Sequence, residues 1–549
     1  VTDLAGGKGF LSRYLKSKIL IPVDYPYKEG RQMTKKFSKL SIAAILMIAF
    51  SLILGACGAT ATPTAAPTTA APTTAAATTA PAATTAAPTR AATTAAPAAT
   101  TAAATTATTA ATSSQGITVN VSGTNVAIKA GGGKKFEPKS PVTVTIWSSQ
   151  TRQNGTAFAD LMKEFEKNNP NIKVVVDNFN DTATYNNILE KLTQSATAGG
   201  MPNIATGYEN WVPAFVDAKL ALPLNQFISG ENGLSQKELE DYYPNMLARG
   251  IFPQYNNETY TWIFSNSAPV MYYNKTLMDK YGIAKVPTTW DELVAASKTA
   301  VDKSGGKTVG MAFRPRTVSE IVAGIYSRGG TVYDYAKKTF VYTDKAAIDH
   351  VNMYYNGVKD GYFITADPNV NFDDQNKFIA QQSLFYISST SSRSFIAAEL
   401  AKKPAGEQFE WNAQVIPSGA GLKPVTTLYG GAALGFKGKT ADEDAATWEV
   451  MKYMGSAAFQ AKWASFSGYV PATKSTLENA EYKAFVEKAP QNRIPQIVLQ
   501  YATASEPKLG QWQQGRNIFD DNMFKLFNGE GTVESAMKKI EEESNKILK

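Results

Sequence analysis

Cysteine and histidine are nearly missing: the 549 residues hold one of each, Cys57 and His350. A single thiol permits no disulfide within the chain, so stability has to come from packing. Without a second histidine or further cysteines, a Ser-His-Asp triad lacks support and zinc-ligand spacing cannot be assembled. The run KAAIDHVNMYYNGVKDGY places His350 on a helix, where a lone imidazole reads as structural. Long hydrophobic runs are scarce too. One extends from Ile42 to Leu54, short of the ~20 residues a membrane span requires, and no comparable run follows. Phosphate loops are missing, since Gly305-Gly306-Lys307 lacks the leading glycine. Asp367, Asn369, Asn371 and Asp373 alternate as in a calcium loop, but Phe372 stands at the turn-glycine position and Phe378 at that of the bidentate Glu. The carboxylate groups Asp373-Asp374, Asp520-Asp521 and Glu541 to Glu543 are adjacent along the chain and cannot flank a scissile bond from opposite faces. They read as solvated or helix-terminal charge.

Positive charge is less abundant than the net +8 suggests. Residues 1–57 carry nine Lys/Arg against three Asp/Glu, which leaves the remainder at +2. A nucleic-acid partner needs a basic face on the folded part and is not indicated.

What is present begins with the N-terminal text. Residues 1–32 follow neither an export nor a domain pattern and read as an over-extended start. From Met33, the basic residues Lys35, Lys36 and Lys39 precede the apolar run, which meets Leu54-Gly55-Ala56-Cys57. Residues 33–56 therefore read as a signal peptide, and the tetrapeptide resembles a lipobox in which Cys57 is lipidated. Ala, Thr and Pro then dominate from Gly58 to about Thr112, with nothing large enough to bury against the entropy of ordering. Residues 57–139 are expected to form a disordered stalk and spacer. Within it, the alternation of Ile117, Val119 and Val121 with Val126 and Ile128 predicts a short hairpin, broken by Gly131-Gly132-Gly133.

From residue 140, strand-like and helix-like runs alternate, the pattern of an α/β fold. Val142 to Trp147 has strand composition, Ala157 to Lys167 has helical spacing, and Ile172 to Val176 returns to strand. Helices are expected after Thr289, as a cap before Asp291 and Glu292, and over Glu443 to Met454 and Val533 to Leu548.

Four segments in this order, VTVTIWSSQ from Val142, APVMYYNKTLMDKYGIAKVPTTWDEL from Ala268, TLYGGAALGF from Thr427 and KWASFSGYVPATK from Lys462, resemble extracellular solute-binding protein family 1. These are the type II, maltose-binding-protein-like receptors of ABC importers, and the similarity is nearest to the glycerol-3-phosphate- and sugar-binding lipoproteins among them. The resemblance implies a two-lobed α/β clamp with an interlobe hinge: lobe I from 140–271 plus 432–468, lobe II from 272–431 plus 469–549. It implies a ligand site at Glu209 beside Tyr208, at Ser267, Ser391, Ser392, Gly430, Gly431, Tyr469, Trp512 and Arg516. No catalytic residue, metal or cofactor is implied. Arg offers a planar fork to phosphate or vicinal hydroxyls, and Ser and Gly N–H groups fill remaining acceptors. Trp512 precedes Arg516 by four residues, which puts both on one helix face.

The pattern departs from those relatives at Phe179, which loses a hydroxyl, and at Arg314-Pro315-Arg316, which replaces a Trp-rich stretch and reads as solvated loop ahead of added phosphate affinity. For a sugar ligand, Trp147, Trp211, Trp262, Tyr469 and Trp512 are stacking candidates, with core packing an equal explanation for the first three. The expectation is a monomeric lipid-anchored receptor outside the cytoplasm, which passes a small polar solute to a permease. A secreted glycoside-acting enzyme and an adhesin on a mucin-like stalk are the rivals.

Overall fold

The structure, a computed structural model, describes residues 116–549 except Ser122. The leader, Cys57 and the Ala/Thr/Pro stalk lie outside the described residues.

Two sheets organise the described chain. The first has the order Ala502–Ser505, Thr426–Gly435, Ile204–Gly207, Val142–Trp147, Ile172–Asp177, with Thr261–Ser267 paired to Thr426–Gly435 as well. The second runs Phe363–Thr365, Val309–Phe313, Ser383–Ser389, Pro269–Asn274, Trp411–Val415. Val142–Trp147 lies parallel to Ile172–Asp177 through the crossover helix Arg152–Asn168, whose Phe158, Leu161, Met162 and Phe165 are buried. The expected βαβ unit is therefore formed, with apolar residues on one helix stripe. Thr289 caps the helix Trp290–Ser304: its hydroxyl accepts from the Glu292 amide while Glu292 accepts from the Thr289 amide. The Thr288 amide and the Lys285 ammonium hold that exposed carboxyl down at about 2.

The bodies built on these sheets are called lobe I and lobe II. The chain passes between them at Ala268, within 416–425 and within 506–511. The divisions at 271/272 and 431/432 expected from the resemblance fall inside the strands Pro269–Asn274 and Thr426–Gly435. Thr426–Gly435 stays in the lobe I sheet along its whole length, with Gly431 opposite Ser265. Helices Lys474–Glu478 and Ala480–Glu487 pack on Ala457–Ser467, and the chain re-enters the lobe I sheet at Ala502. Before that return, Pro490–Arg493 and Ile494–Val498 pack on Trp411–Val415 of the second sheet, and after it Trp512–Phe527 and Val533–Lys546 pack beside Val318–Ser327 and Lys345–Lys359 of lobe II.

The glycines beside two of the expected divisions each have a local cause. Gly430 has φ 114°, and a Cβ there would lie 2.2 Å from the Ser265 carbonyl oxygen; Gly468 is the left-handed cap of Ala457–Ser467.

One apolar core runs behind both sheets, joining Phe264, Trp463 and Val470 to Val270, Tyr272 and Tyr386. Phe264 and Trp463 stack at 5.5 Å. The Tyr272 hydroxyl donates to the carbonyls of Ser389 (2.7 Å) and Thr390 (3.0 Å), which stitches this back wall.

The spacer expected for 57–139 is corrected over its described part. Gly116–Val121 and Thr124–Lys129 form the antiparallel hairpin, but Val119, Val121, Val126 and Ile128 join the lobe I core with Met246, Leu247 and Ala248. The breaker glycines bind rather than free the chain. Gly131 donates to Leu234 O (2.6 Å) and Gly132 to Gly230 O (2.9 Å), and a Cβ at Gly131 would meet Gly230 O at 2.4 Å. Alternating valines with no other place to be buried found one on the helix Pro244–Arg249.

Candidate functional site

Where the sheets face each other, polar groups from both lobes converge on Tyr429-Gly430-Gly431. These residues pair with Ser267, Asn266 and Ser265. Arg249, buried at the end of the helix the hairpin braces, donates to Asn266 Oδ1 (2.6 Å) and Gly430 O (3.2 Å) and forms an ion pair with Glu209. Gly431 leaves room for Tyr185: a Cβ there would stand 2.8 Å from the Tyr185 hydroxyl oxygen. Tyr185 and Tyr208 meet at 4.3 Å with their ring planes tilted by 30°, and both rest edge-on against Trp211.

Hydroxyls line the seam. Ser267 is hydrogen-bonded to Ser389 and, at 3.0 Å, to Thr390, and Ser389 to Ser391 at 2.7 Å. Tyr429 bonds Ser389, while Tyr469 reaches Gln150, Ser391 and Ser265. Burial pushes the phenols of Tyr185, Tyr208 and Tyr429 upward, so all three stay protonated donors.

Lobe II supplies charge in pairs. Arg516 bonds Ser319 Oγ (3.0 Å) and forms an ion pair with Glu506, which also accepts from Trp512 Nε1 (2.7 Å) and Ser319 Oγ (2.7 Å). Burial alone would raise Glu506, but Arg516, Trp512 and Ser319 together hold its carboxyl below the usual range. Burial opposes the charge on Arg516, yet Glu506 and Tyr208 more than restore it, and its pKa is raised. Arg314 Nε lies 3.1 Å from Asp374 Oδ2, and Arg316 Nη1 lies 2.7 Å from Asp521 Oδ1. Glu320 and Asp520, near these arginines, are pushed up by burial, Asp520 to about 7.

The structure thus gathers Tyr208, Glu209, Ser267, Ser391, Gly430, Gly431, Tyr469 and Arg516 around one seam. Ser392 turns away to Ser388 (3.2 Å) and Tyr386. Trp512 shares its helix face with Arg516, but its ring is buried on Phe340 and only Nε1 reaches the site. Trp147, Trp211 and Trp262 are core residues; Trp147 meets Phe179 edge-on at 6.0 Å, and Trp262 packs on Trp448. His350 is fully buried, accepts from Arg328 Nε at 3.2 Å and lies against Trp290. Burial and Arg328 hold its pKa well below the ordinary value.

Tyr185, Arg249, Glu320, Tyr429 and Glu506 were not anticipated. Tyr429 stands in TLYGG beside the glycines that were noticed; Glu506 follows a short strand and carries no motif. Between Tyr208, Glu209, Arg249, Tyr429, Glu506 and Trp512 the remaining space is about 30 Å³, far below the ~300–1,000 Å³ of ligand sites.

A two-sheet α/β body with three passages and a polar seam between its lobes is the architecture of a binding clamp. Residues 160–493 match the model of the bacterial extracellular solute-binding proteins, and the chain belongs to that family. Among relatives, it is 24% identical over 421 residues to a putative binding protein of Brucella abortus, across 74% of this chain and 93% of that one. It is 23% identical to the sn-glycerol-3-phosphate-binding periplasmic protein UgpB of Rhizobium meliloti, across 76% and 96%. UgpB from Mycobacterium tuberculosis in complex with glycerophosphocholine superposes with a TM-score of 0.64 at 18% identity, over 75% of this chain and 99% of that one. The cyclic α-maltosyl-1,6-maltose binding protein of Arthrobacter globiformis gives 0.61 at 21%, over 74% and 99%. The fold is that of type II periplasmic binding proteins. No helix among the described residues is long and apolar enough to cross a membrane.

Proposed function

We propose that the protein captures a polyhydroxylated solute, a carbohydrate or a glycerol-3-phosphate-type molecule, in the interlobe seam and passes it unchanged to an ABC permease. The observation that carries this reading is the convergence of serine, threonine and tyrosine hydroxyls with pre-neutralised Arg–carboxylate pairs from both lobes. Such a lining offers donors and acceptors to many hydroxyls without a strong net field. Relatives named for glycerol-3-phosphate, glycerophosphocholine and maltosyl ligands support the class. A space this far below ligand size is consistent with a sugar-sized guest entering as the lobes part, through motion in 416–425 and 506–511 and at Ala268. Ligand then favours closure by contacts that exist only in the closed form. Cys57 is the proposed lipid anchor, holding a monomer outside the cytoplasm.

A phosphorylated ligand is the reading that Arg516 favours, since a guanidinium fork suits phosphate, although Glu506 competes for it. Titration with glycerol 3-phosphate, glycerophosphodiesters and mono- to oligosaccharides tests the whole. A thermal upshift with chemically unchanged ligand supports the receptor; turnover of the ligand points to a glycoside-acting enzyme, and silence in every class to an adhesin.

A further inference from the structure

The loop Arg314-Pro315-Arg316, which reads as solvated in the sequence, is held at both ends. Arg314 Nε donates to Asp374 Oδ2 at 3.1 Å, and Arg316 Nη1 lies 2.7 Å from Asp521 Oδ1 with its guanidinium carbon 4.7 Å from the centroid of the Phe524 ring. Pro315 confines the residue before it to extended backbone, so Arg314 leaves the strand Val309–Phe313 in a set direction.

The two members of the Arg314 pair are unequal. The Asp374 side chain is 5% exposed and that of Arg314 42%, whereas Arg249 and Arg516, the other arginines of the seam, are 9% and 14% exposed. Asp374 takes only Nε, and among the described residues Nη1 and Nη2 have no hydrogen-bond partner. A loop arginine pointing into open solvent needs no buried carboxylate to hold it. This one combines a buried anchor with an open end-on fork, the geometry that grips two oxygens of a phosphate or a carboxylate.

Topology puts that fork at the seam. Val309–Phe313 runs parallel to Ser383–Ser389 with Met311 opposite Phe385, so both strands end at one edge of the sheet. Arg314 follows the first strand there, and Ser389, which ends the second, shares its hydroxyl with Ser267 and Ser391. Ligands of α/β sheets bind at such carboxyl ends of parallel strands. Tyr429 and Glu320 both lie within electrostatic reach of Arg314. The charge balance agrees with the geometry. Arg249, Arg314 and Arg516 are matched by Glu209, Asp374 and Glu506, while Lys508, whose ammonium donates to Ala248 O (2.6 Å), has no carboxylate partner among the described residues. Burial meanwhile pushes the Glu320 and Asp520 carboxyls up, toward the protonated form.

We infer that Arg314 reads an acidic group on the ligand, a phosphate ester or a carboxylate carried by a sugar or polyol whose hydroxyls meet Ser267, Ser389 and Ser391. This rests on the solute-capture reading and narrows it to an acidic solute. Arg314 is then the residue that sets charge preference, and Asp374 positions it.

The test titrates the full chain by calorimetry with matched probes, glucose against glucose 6-phosphate and glucuronate, and glycerol against glycerol 3-phosphate, together with maltose and glycerophosphocholine. The expected result is tighter binding of an acidic probe than of its neutral counterpart, a preference that Arg314→Gln reduces on the order of tenfold. Arg314→Lys, which keeps the charge and loses the fork, should fall between. Glucose 6-phosphate against glucuronate shows which acid is read. If Arg314→Gln strands Asp374 and the chain fails to fold, the pair Arg314→Gln/Asp374→Asn leaves no lone charge and is read in its place. A preference that survives in these variants, or tighter binding of the neutral probes by the unaltered chain, overturns the role of Arg314 and leaves solute capture standing. No binding of any probe removes both.

Discussion

The Arg516 guanidinium carbon lies 5.4 Å from the centroid of the Tyr208 ring, a contact between a helix of lobe II and the loop that follows a lobe I strand. The same guanidinium is held by Glu506, and both side chains are 14% exposed. Arg516 is thus a ligand candidate and a structural charge at once.

Replacing it separates these roles. Arg516→Ala strands the Glu506 carboxylate in a buried site and should cost about 3–5 kcal/mol of stability. The double variant Arg516→Ala/Glu506→Ala should recover much of that in chemical denaturation, while binding of a phosphorylated ligand stays lost in both. If the single variant keeps full stability, the ion pair is not structural.

Gly430 tests the seam backbone. Its positive φ and the 2.2 Å approach to Ser265 O leave no place for a methyl group, so Gly430→Ala should lower stability by a few kcal/mol. Gly431→Ala meets only the end of the Tyr185 side chain at 2.8 Å and should mainly displace that ring. Melting curves of the two variants are expected in that order, and a reversed order would contradict the geometry.

Asp520 predicts a pH slope. Burial lifts its carboxyl to about 7, against Arg516, Arg316 and the Val318 amide, with Glu320 adding to the rise. An unfolded Asp titrates near ~4. Between these values the folded chain keeps a proton that the unfolded chain has released, so this group makes stability fall as pH rises from about 4 to about 7 and level off above. Asp520→Asn should flatten the slope within that window. An unchanged slope in denaturant midpoints across those pH values would exclude the assignment.

Closure has a second contact at the rim. Arg152 of lobe I sits over two rings of lobe II, Phe372 at 4.9 Å and Phe395 at 4.5 Å. Each exposed cation–π contact contributes roughly 0.5–1 kcal/mol. Arg152→Ala should shift the ligand-free protein toward wider lobe separation, read as a larger radius of gyration in X-ray scattering, with the ligand-bound value unchanged.

Periodicity made the elements legible: the strand at Val142, the stripe of Phe158, Leu161 and Phe165, and the Thr289 cap each follow from local chemistry. Resemblance brought Tyr208, Ser267, Gly430 and Arg516 to one seam. The passages were harder to read, because the resemblance puts divisions at 431/432 and 468/469, where the neighbouring glycines mark a close strand approach at 430 and a helix end at 468. Arg249 and Glu506 escaped notice for another reason. Their roles depend on partners at Glu209 and Arg516 that only the tertiary fold brings near, and nothing within a few residues of either announces them. The hairpin was legible as a hairpin but not as docked, since burial of Val119 and Ile128 depends on helix Pro244–Arg249, more than a hundred residues away.

That docking decides which jaw is the fixed one. Gly116 enters the described body through a ladder seated on lobe I, with 131–132 pinned to the loop at 230–234. If Cys57 is anchored as proposed, a pull on the chain would enter the described body through lobe I and bypass the passages at Ala268, 416–425 and 506–511. Under the proposed anchorage at Cys57, lobe II would be the jaw free to move without load from the membrane side.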